Sequence, residues 1–130
     1  MSHSFRELKV WKKAVDLALL VYELTAGFPR RETYGLSSQM QRAAVSIASN
    51  IAEGSARGTR RDFRQFVKLA EGSNCELQTQ LLIARRLQYA SEQKCDVLDA
   101  LSDEIGKMLT ALSQYLTREI TRAVEITPNN

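Results

Sequence analysis

The sequence predicts an all-α protein, a four-helix bundle in which successive helices run up, down, up and down. Apolar residues recur at three- and four-residue spacing over four long stretches, the period of a half-buried helix. Pro occurs only at positions 29 and 128, so nothing breaks those stretches internally. No stretch alternates as a strand does, and the links are short enough to make sequential helices antiparallel neighbours. Residues 1–126 read as one domain, with Thr127–Asn130 as a frayed tail.

Helix 1 is expected from about Ser4 to Thr25. Leu8, Trp11, Val15, Ala18 and Tyr22 form one apolar stripe, and Val10, Ala14, Leu17, Val21 and Leu24 form a second. Together they are wider than one bundle core requires. The surplus is assigned to an interface between copies, through Val10, Ala14, Leu17 and Val21. Gly27 and Pro29 stop the helix. In the link GFPRRETYG, Phe28 and Tyr34 are expected to fold back onto the bundle end.

Helix 2 should be capped by Ser37 or Ser38 and run to Glu53. Met40, Ala43, Ala44, Ile47, Ala48 and Ile51 make its buried face. Beside that face runs a polar seam of Gln39, Arg42, Ser46, Asn50 and Glu53, expected to meet Glu71, Asn74 and Glu76 of helix 3. Gly54 and Gly58 bracket a tight connection. Thr59 opens helix 3 with capping-box spacing to Asp62, and the helix continues to about Tyr89. Helix 4 runs from Ser91–Glu92 to about Val124 on Leu98, Leu101, Ile105, Met108, Leu112 and Leu116. Gly72 and Gly106 fall at one level and suggest a close approach of helices 3 and 4.

Composition narrows the chemistry. Residues 1–68 carry 12 Lys/Arg against 6 Asp/Glu, and residues 69–130 carry 6 against 9. That polarity suits either an anionic partner or a self-complementary oligomer. The basic first half concentrates in Arg57, Arg60, Arg61, Arg64 and Lys68, the candidate nucleic-acid-binding residues. Cations at a helix N-terminus oppose its dipole, so their placement points to a use beyond folding. The bland alternative is a solvated face paired to neighbouring Glu. Lys9, Lys12 and Lys13 read as a lesser, solvated patch, and Trp11 as a core or interface anchor.

Little suggests catalysis. Glu53 with Glu71 or Glu76 is the one conceivable carboxylate pair, with no nucleophile or phosphate-cradling loop beside it. The only histidine is His3, which disfavours a metal site or a His-assisted nucleophile. Cys75 and Cys95 lie at levels roughly 15 Å apart at a rise of about 1.5 Å per residue, too far to pair. No cofactor is implied. Neither a membrane span nor a signal core is visible, so a cytoplasmic protein is expected.

The segments LKVWKKAVDLA (8–18), FPRRETYGLSSQMQRAAVSIASNIAEG (28–54) and FRQFVKLAEGSNCELQTQLLIA (63–84) resemble the 23S rRNA intervening-sequence (S23) family, with SIASNIAEG the most specific piece. The resemblance implies a left-handed bundle assembling as a homopentamer, found in bacteria and of largely uncharacterised activity. In fold it is also similar to the accessory proteins of diversity-generating retroelements, basic pentamers that bind nucleic acid and a reverse transcriptase. Two functions follow as expectations. One is a non-enzymatic oligomer that binds RNA or DNA phosphates. The other is a protein-interaction scaffold without a nucleic-acid role.

Overall fold

The computed structural model describes residues 4–126, so His3 and the 127–130 tail lie outside it. Within those residues are four α-helices, α1 (Lys9–Thr25), α2 (Leu36–Ala56), α3 (Arg60–Arg86) and α4 (Glu92–Ile126), and no strand. Short 3-10 turns at Phe5–Glu7 and Arg30–Glu32 precede α1 and α2. Ser4 accepts from the Arg6 N–H and so starts the first turn, which separates the opening of expected helix 1 from α1.

The caps explain the other boundaries. Helix α2 starts one residue before its expected serine caps, because the Glu32 carboxylate accepts the Leu36 N–H from the preceding turn. It also runs through Gly54 to Ala56 rather than ending at Glu53. Thr59 Oγ1 accepts the Asp62 N–H at 3.1 Å, so half of the expected capping box is made. Helix α3 closes three residues earlier than its apolar period suggested. The Gln88 N–H reaches Arg85 O and the Tyr89 N–H reaches Ala84 O, with Gln88 left-handed at φ 60°. That is a Schellman close with glutamine in the position glycine prefers.

Helix α2 packs most extensively on α3, and α3 then packs on α4. Ser46 bonds Ser73, and Gly54 abuts Phe63 and Phe66, so numbering rises along α2 as it falls along α3. The same reversal relates Arg64–Thr117, Asn74–Ser102 and Arg85–Glu92 on α3 and α4. Leu17, Met40, Ile47, Ile51, Leu77, Leu81, Ile105, Leu109 and Leu116 are fully buried between the helices. A buried polar pair crosses this core. Asn74 donates to the Ser102 carbonyl at 3.0 Å, and Ser102 Oγ donates back to Asn74 Oδ1 at 2.8 Å. At its far end α3 is tied to α4 by Arg85, which meets Glu92, Asp96 and Asp99.

Three expectations are corrected. Val10, Ala14, Leu17 and Val21 do not form the outward flank of α1; they are at most 5% exposed and belong to the chain's own core. Both stripes are apolar, but α2 and α4 close over this one. Trp11, Val15, Ala18, Leu19 and Tyr22 instead line an open groove against Val45, Ala48, Ser49 and Ala52 of α2, with Phe5 at its edge. Gly72 has nothing within 4 Å of a notional Cβ, so it marks no close approach, whereas a Cβ at Gly106 would lie 3.2 Å from the Asn74 amide nitrogen. The tight crossing is at Gly54, where a Cβ would lie 2.6 Å from the Phe66 Cβ. Finally, Phe28 folds back as expected against Tyr89, ring centres 5.3 Å apart, but Tyr34 does not. Tyr89 packs on Phe28 at that end, and Tyr34 is 96% exposed.

Candidate nucleic-acid interface

The basic cluster is assembled by the turn from α2 into α3. Gly54 lets the helices meet closely, Gly58 turns the chain at φ 90°, and Thr59 caps α3. Burial of Phe63 and Val67 then fixes how α3 is rotated. That rotation divides the cations among three directions rather than one.

Arg57 lies on the α2 side. Its Nη2 sits 2.8 Å from Glu53 Oε1, and its guanidinium lies 5.0 Å from the centre of the Phe66 ring. Arg60 and Arg64 turn toward α4. Arg60 is 4.0 Å from the Glu119 carboxylate, and Arg64 donates to Thr117 Oγ1 at 3.4 Å. Arg61 and Lys68 are exposed, and neither forms an ion pair or hydrogen bond among the described residues. The paired-face alternative therefore describes Arg57 and, loosely, Arg60, but not Arg61 or Lys68. Exposed pairs of this kind hold by well under about 1 kcal/mol, so a phosphate can displace them.

Sequence reasoning missed the contribution of α4. Its last turns bring Arg118 and Arg122 to the level of Arg60, along with Glu119 and Glu125. Between Gly58–Arg61 and Ile120, Ala123 and Val124 lies an open groove of about 480 Å³. Across residues 53–68 and 117–126 there are seven Lys/Arg and four Asp/Glu. Only the antiparallel pairing of α3 and α4 brings those two segments together, so no linear window displays them.

The polar seam is only partly a seam. Ser46 and Ser73 share a hydrogen bond of 2.9 Å, and Asn50 donates to the Ser46 carbonyl and hydroxyl. Gln39 and Arg42 are exposed. Glu53 pairs with Arg57, while Glu71 accepts from Thr110 on α4 and Glu76 from Gln80. Asn74 faces α4, not α2. The three carboxylates thus serve different neighbours, and the structure does not gather them into an acid–base pair.

Elsewhere, Lys13 pairs with Glu104 on α4, and Lys9 and Lys12 are exposed. Both cysteines are free, with Cys75 exposed and Cys95 buried. Among the described residues no group of three or more His, Cys, Asp or Glu is placed to hold a metal ion, and no helix is long and apolar enough to cross a membrane.

This all-helical arrangement places the chain in a known class of bundle proteins. The family described as 23S rRNA-intervening sequence protein matches residues 6–111, and the chain belongs to it. Among solved structures it is similar to a protein of unknown function from the S23 ribosomal protein family of Bacteroides thetaiotaomicron VPI-5482. The TM-score is 0.72 at 23% identity, covering 80% of this chain and 97% of that one, a likeness of fold. No curated protein matches.

Proposed function

We propose that this chain is a non-enzymatic, cytoplasmic nucleic-acid-binding protein. In this reading its helices form a left-handed up-down-up-down bundle that assembles as a homopentamer. It contacts RNA or DNA phosphates through Arg57, Arg60, Arg61, Arg64 and Lys68. The observation that carries the reading is the excess of cations at one end of the helices, with Arg61 and Lys68 left without an ion-pair or hydrogen-bond partner among the described residues. Cations crowded against a helix N-terminus raise the local potential further. Repeating them around a ring would multiply the field that a polyanion meets. Recognition is by charge and shape, since no base-reading motif accompanies the cluster.

The groove of Trp11, Val15, Ala18, Leu19 and Tyr22 with α2 supports self-association better than the buried stripe does, because Leu19 is 60% and Tyr22 49% exposed. The same groove favours a second reading, a scaffold that takes another protein there, a reverse transcriptase among the partners the resemblance suggests. Titrating a labelled RNA duplex and a DNA duplex at several salt concentrations separates the two. Phosphate binding predicts a log–log salt slope that falls by about 3 on Arg60/Arg61/Arg64→Ala, near 0.9 for each phosphate no longer neutralised. Absence of binding to either duplex at low salt leaves the scaffold. Sedimentation at micromolar concentration tests the assembly, and a monomer there refutes it.

A further inference from the structure

We infer that the turn before α2 is a separate contact for an unpaired nucleotide, with the Tyr34 ring stacking on the base and Arg30 and Arg31 holding the adjacent phosphates. The site goes beyond the phosphate-binding reading, because it selects single strands. It lies at the opposite end of α2 from Arg57, a helix of 21 residues spanning about 32 Å.

Tyr34 is 96% exposed, and among the described residues the next most exposed large apolar side chains are at 60%. The backbone that carries it is nevertheless well fixed. Both the N–H and the hydroxyl of Thr33 donate to the Arg30 carbonyl, at 3.1 and 2.8 Å, and the Gly35 N–H donates to Glu32 O. Glu32 secures the turn at both ends, its Oε1 accepting the Leu36 N–H and its Oε2 the Tyr89 hydroxyl. An aromatic ring held in water by a rigid turn contributes nothing to the fold that the turn itself needs.

Charge points the same way. Glu32 is the only acid between Glu23 and Glu53, and its carboxylate is committed to those two donors. Arg30 is exposed and has no ion pair among the described residues. Arg31 lies 6.0 Å from the centre of the Tyr89 ring, which keeps its guanidinium beside the turn. The nearby apolar rings, Phe28 and Tyr89, are packed on each other. Tyr34 therefore lacks the dry surround that a protein hot spot requires. An exposed ring three and four residues along the turn from two arginines is instead suited to single strands, where each unpaired base offers a face to stack. Duplex bases are already stacked and cannot use it.

The test uses a labelled single-stranded adenylate hexamer and an RNA duplex, followed by fluorescence anisotropy at low salt. It is run in the full chain and in the R60A/R61A/R64A background, where the arginine cluster no longer competes. In both, Y34A should weaken hexamer binding by about fivefold or more, the measured worth of one stacked base. Y34F should bind as the parent does, and Y34A should leave duplex binding and the melting temperature unchanged. Loss of duplex binding in R60A/R61A/R64A with the Tyr34 effect intact separates this site from the phosphate-binding cluster. The inference is overturned if Y34A binds the hexamer as its parent does, or if the hexamer does not bind in that background. It is equally overturned if Y34A changes the sedimentation coefficient, which would place the ring between copies.

Discussion

Replacing Gly54 by alanine puts the α2–α3 crossing to a quantitative test. In a helix interior this exchange ordinarily stabilises by about 1 kcal/mol, because alanine has less backbone freedom to lose. At Gly54 the added methyl would lie 2.6 Å from the Phe66 Cβ, 3.1 Å from Phe63 Cδ1 and 3.3 Å from the Phe63 carbonyl oxygen. Carbon atoms prefer about 3.5–4.0 Å, and a Cβ cannot swing aside as a side-chain tip can. Helix α3 must therefore retreat by roughly 1 Å at this level, an overpacking that costs about 1–3 kcal/mol. With the poorer packing of buried Phe63 included, the net expectation is destabilisation by about 1–2 kcal/mol. Gly72→Ala is the control. It is the same exchange in a helix interior, with nothing within 4 Å of the new Cβ, and should stabilise by up to about 1 kcal/mol. Urea melts at one fixed protein concentration suit the comparison, since any assembly makes stability concentration-dependent. The opposite signs are the prediction. A Gly54→Ala protein as stable as Gly72→Ala would refute the close crossing, and with it the positioning of Arg57 and Arg60 by that crossing.

Three further outcomes follow from the same contacts. Ser102→Ala leaves Asn74 Oδ1 buried without a donor and should cost about 1–3 kcal/mol in a urea melt, most of it recovered in Asn74→Leu/Ser102→Ala. A single mutant within about 0.5 kcal/mol of wild type, less than a buried acceptor costs when it loses its donor, would contradict it. The Leu36 N–H, and then the Tyr89 hydroxyl, hold the Glu32 carboxyl below its ordinary value of 4.5. Its contribution to stability is therefore present above that value and lost as pH falls through the lower folded one. The gap between wild type and Glu32→Gln in melting temperature should shrink on acidification, and a gap that widens would reverse the assignment. Burial raises the Cys95 thiol above its ordinary pKa, whereas Cys75 is exposed. Ellman's reagent should titrate one thiol in the folded protein and both in urea, and two fast-reacting native thiols would show that Cys95 is accessible.

Most of the fold was legible because helical period is a local property. Thr59 announced α3 with its own side chain, and the apolar register of α2 matched its buried face. That of α4 matched at Leu98, Ile105 and Leu116, whereas Leu101, Met108 and Leu112 are half-buried at the core's edge and Leu109 is fully buried. The misplacements arose where a boundary depends on distant atoms. Glu32 caps α2 from outside the helix, so Ser37 and Ser38 looked like the better caps. Gly54 followed a carboxylate before a glycine-bracketed link and resembled a helix end, although its role is to let Phe66 approach. Gly72 and Gly106 share a level, but a glycine can face solvent as readily as a neighbour. Only the rotation of α3 decides which it does.

The site was less legible, for the same reason carried one step further. Consecutive arginines are visible in any sequence, but their directions are set by what Phe63 and Val67 bury on the opposite side of α3. Hence Arg61 and Lys68 emerge exposed, without an ion-pair or hydrogen-bond partner among the described residues, while Arg60 and Arg64 turn to Glu119 and Thr117, residues more than fifty positions away. The stripes of α1 show the limit most clearly. Val10–Ala14–Leu17–Val21 and Trp11–Val15–Ala18–Tyr22 are equally apolar and equally periodic, so hydrophobicity alone cannot say which one faces inward. The choice is made by the partners. Two helices can close over Val, Ala and Leu with few voids, whereas Trp and Tyr are too large for that seam and carry polar atoms that need a partner or water. The bulkier stripe is thus left at the rim, against the small residues Ala48, Ser49 and Ala52 of α2, where a groove remains open. Surplus apolar width was a sound signal that α1 offers more than one chain covers. Its side was set by size, and that leaves Trp11, Leu19 and Tyr22 lining the open groove while Val10, Leu17 and Val21 are buried.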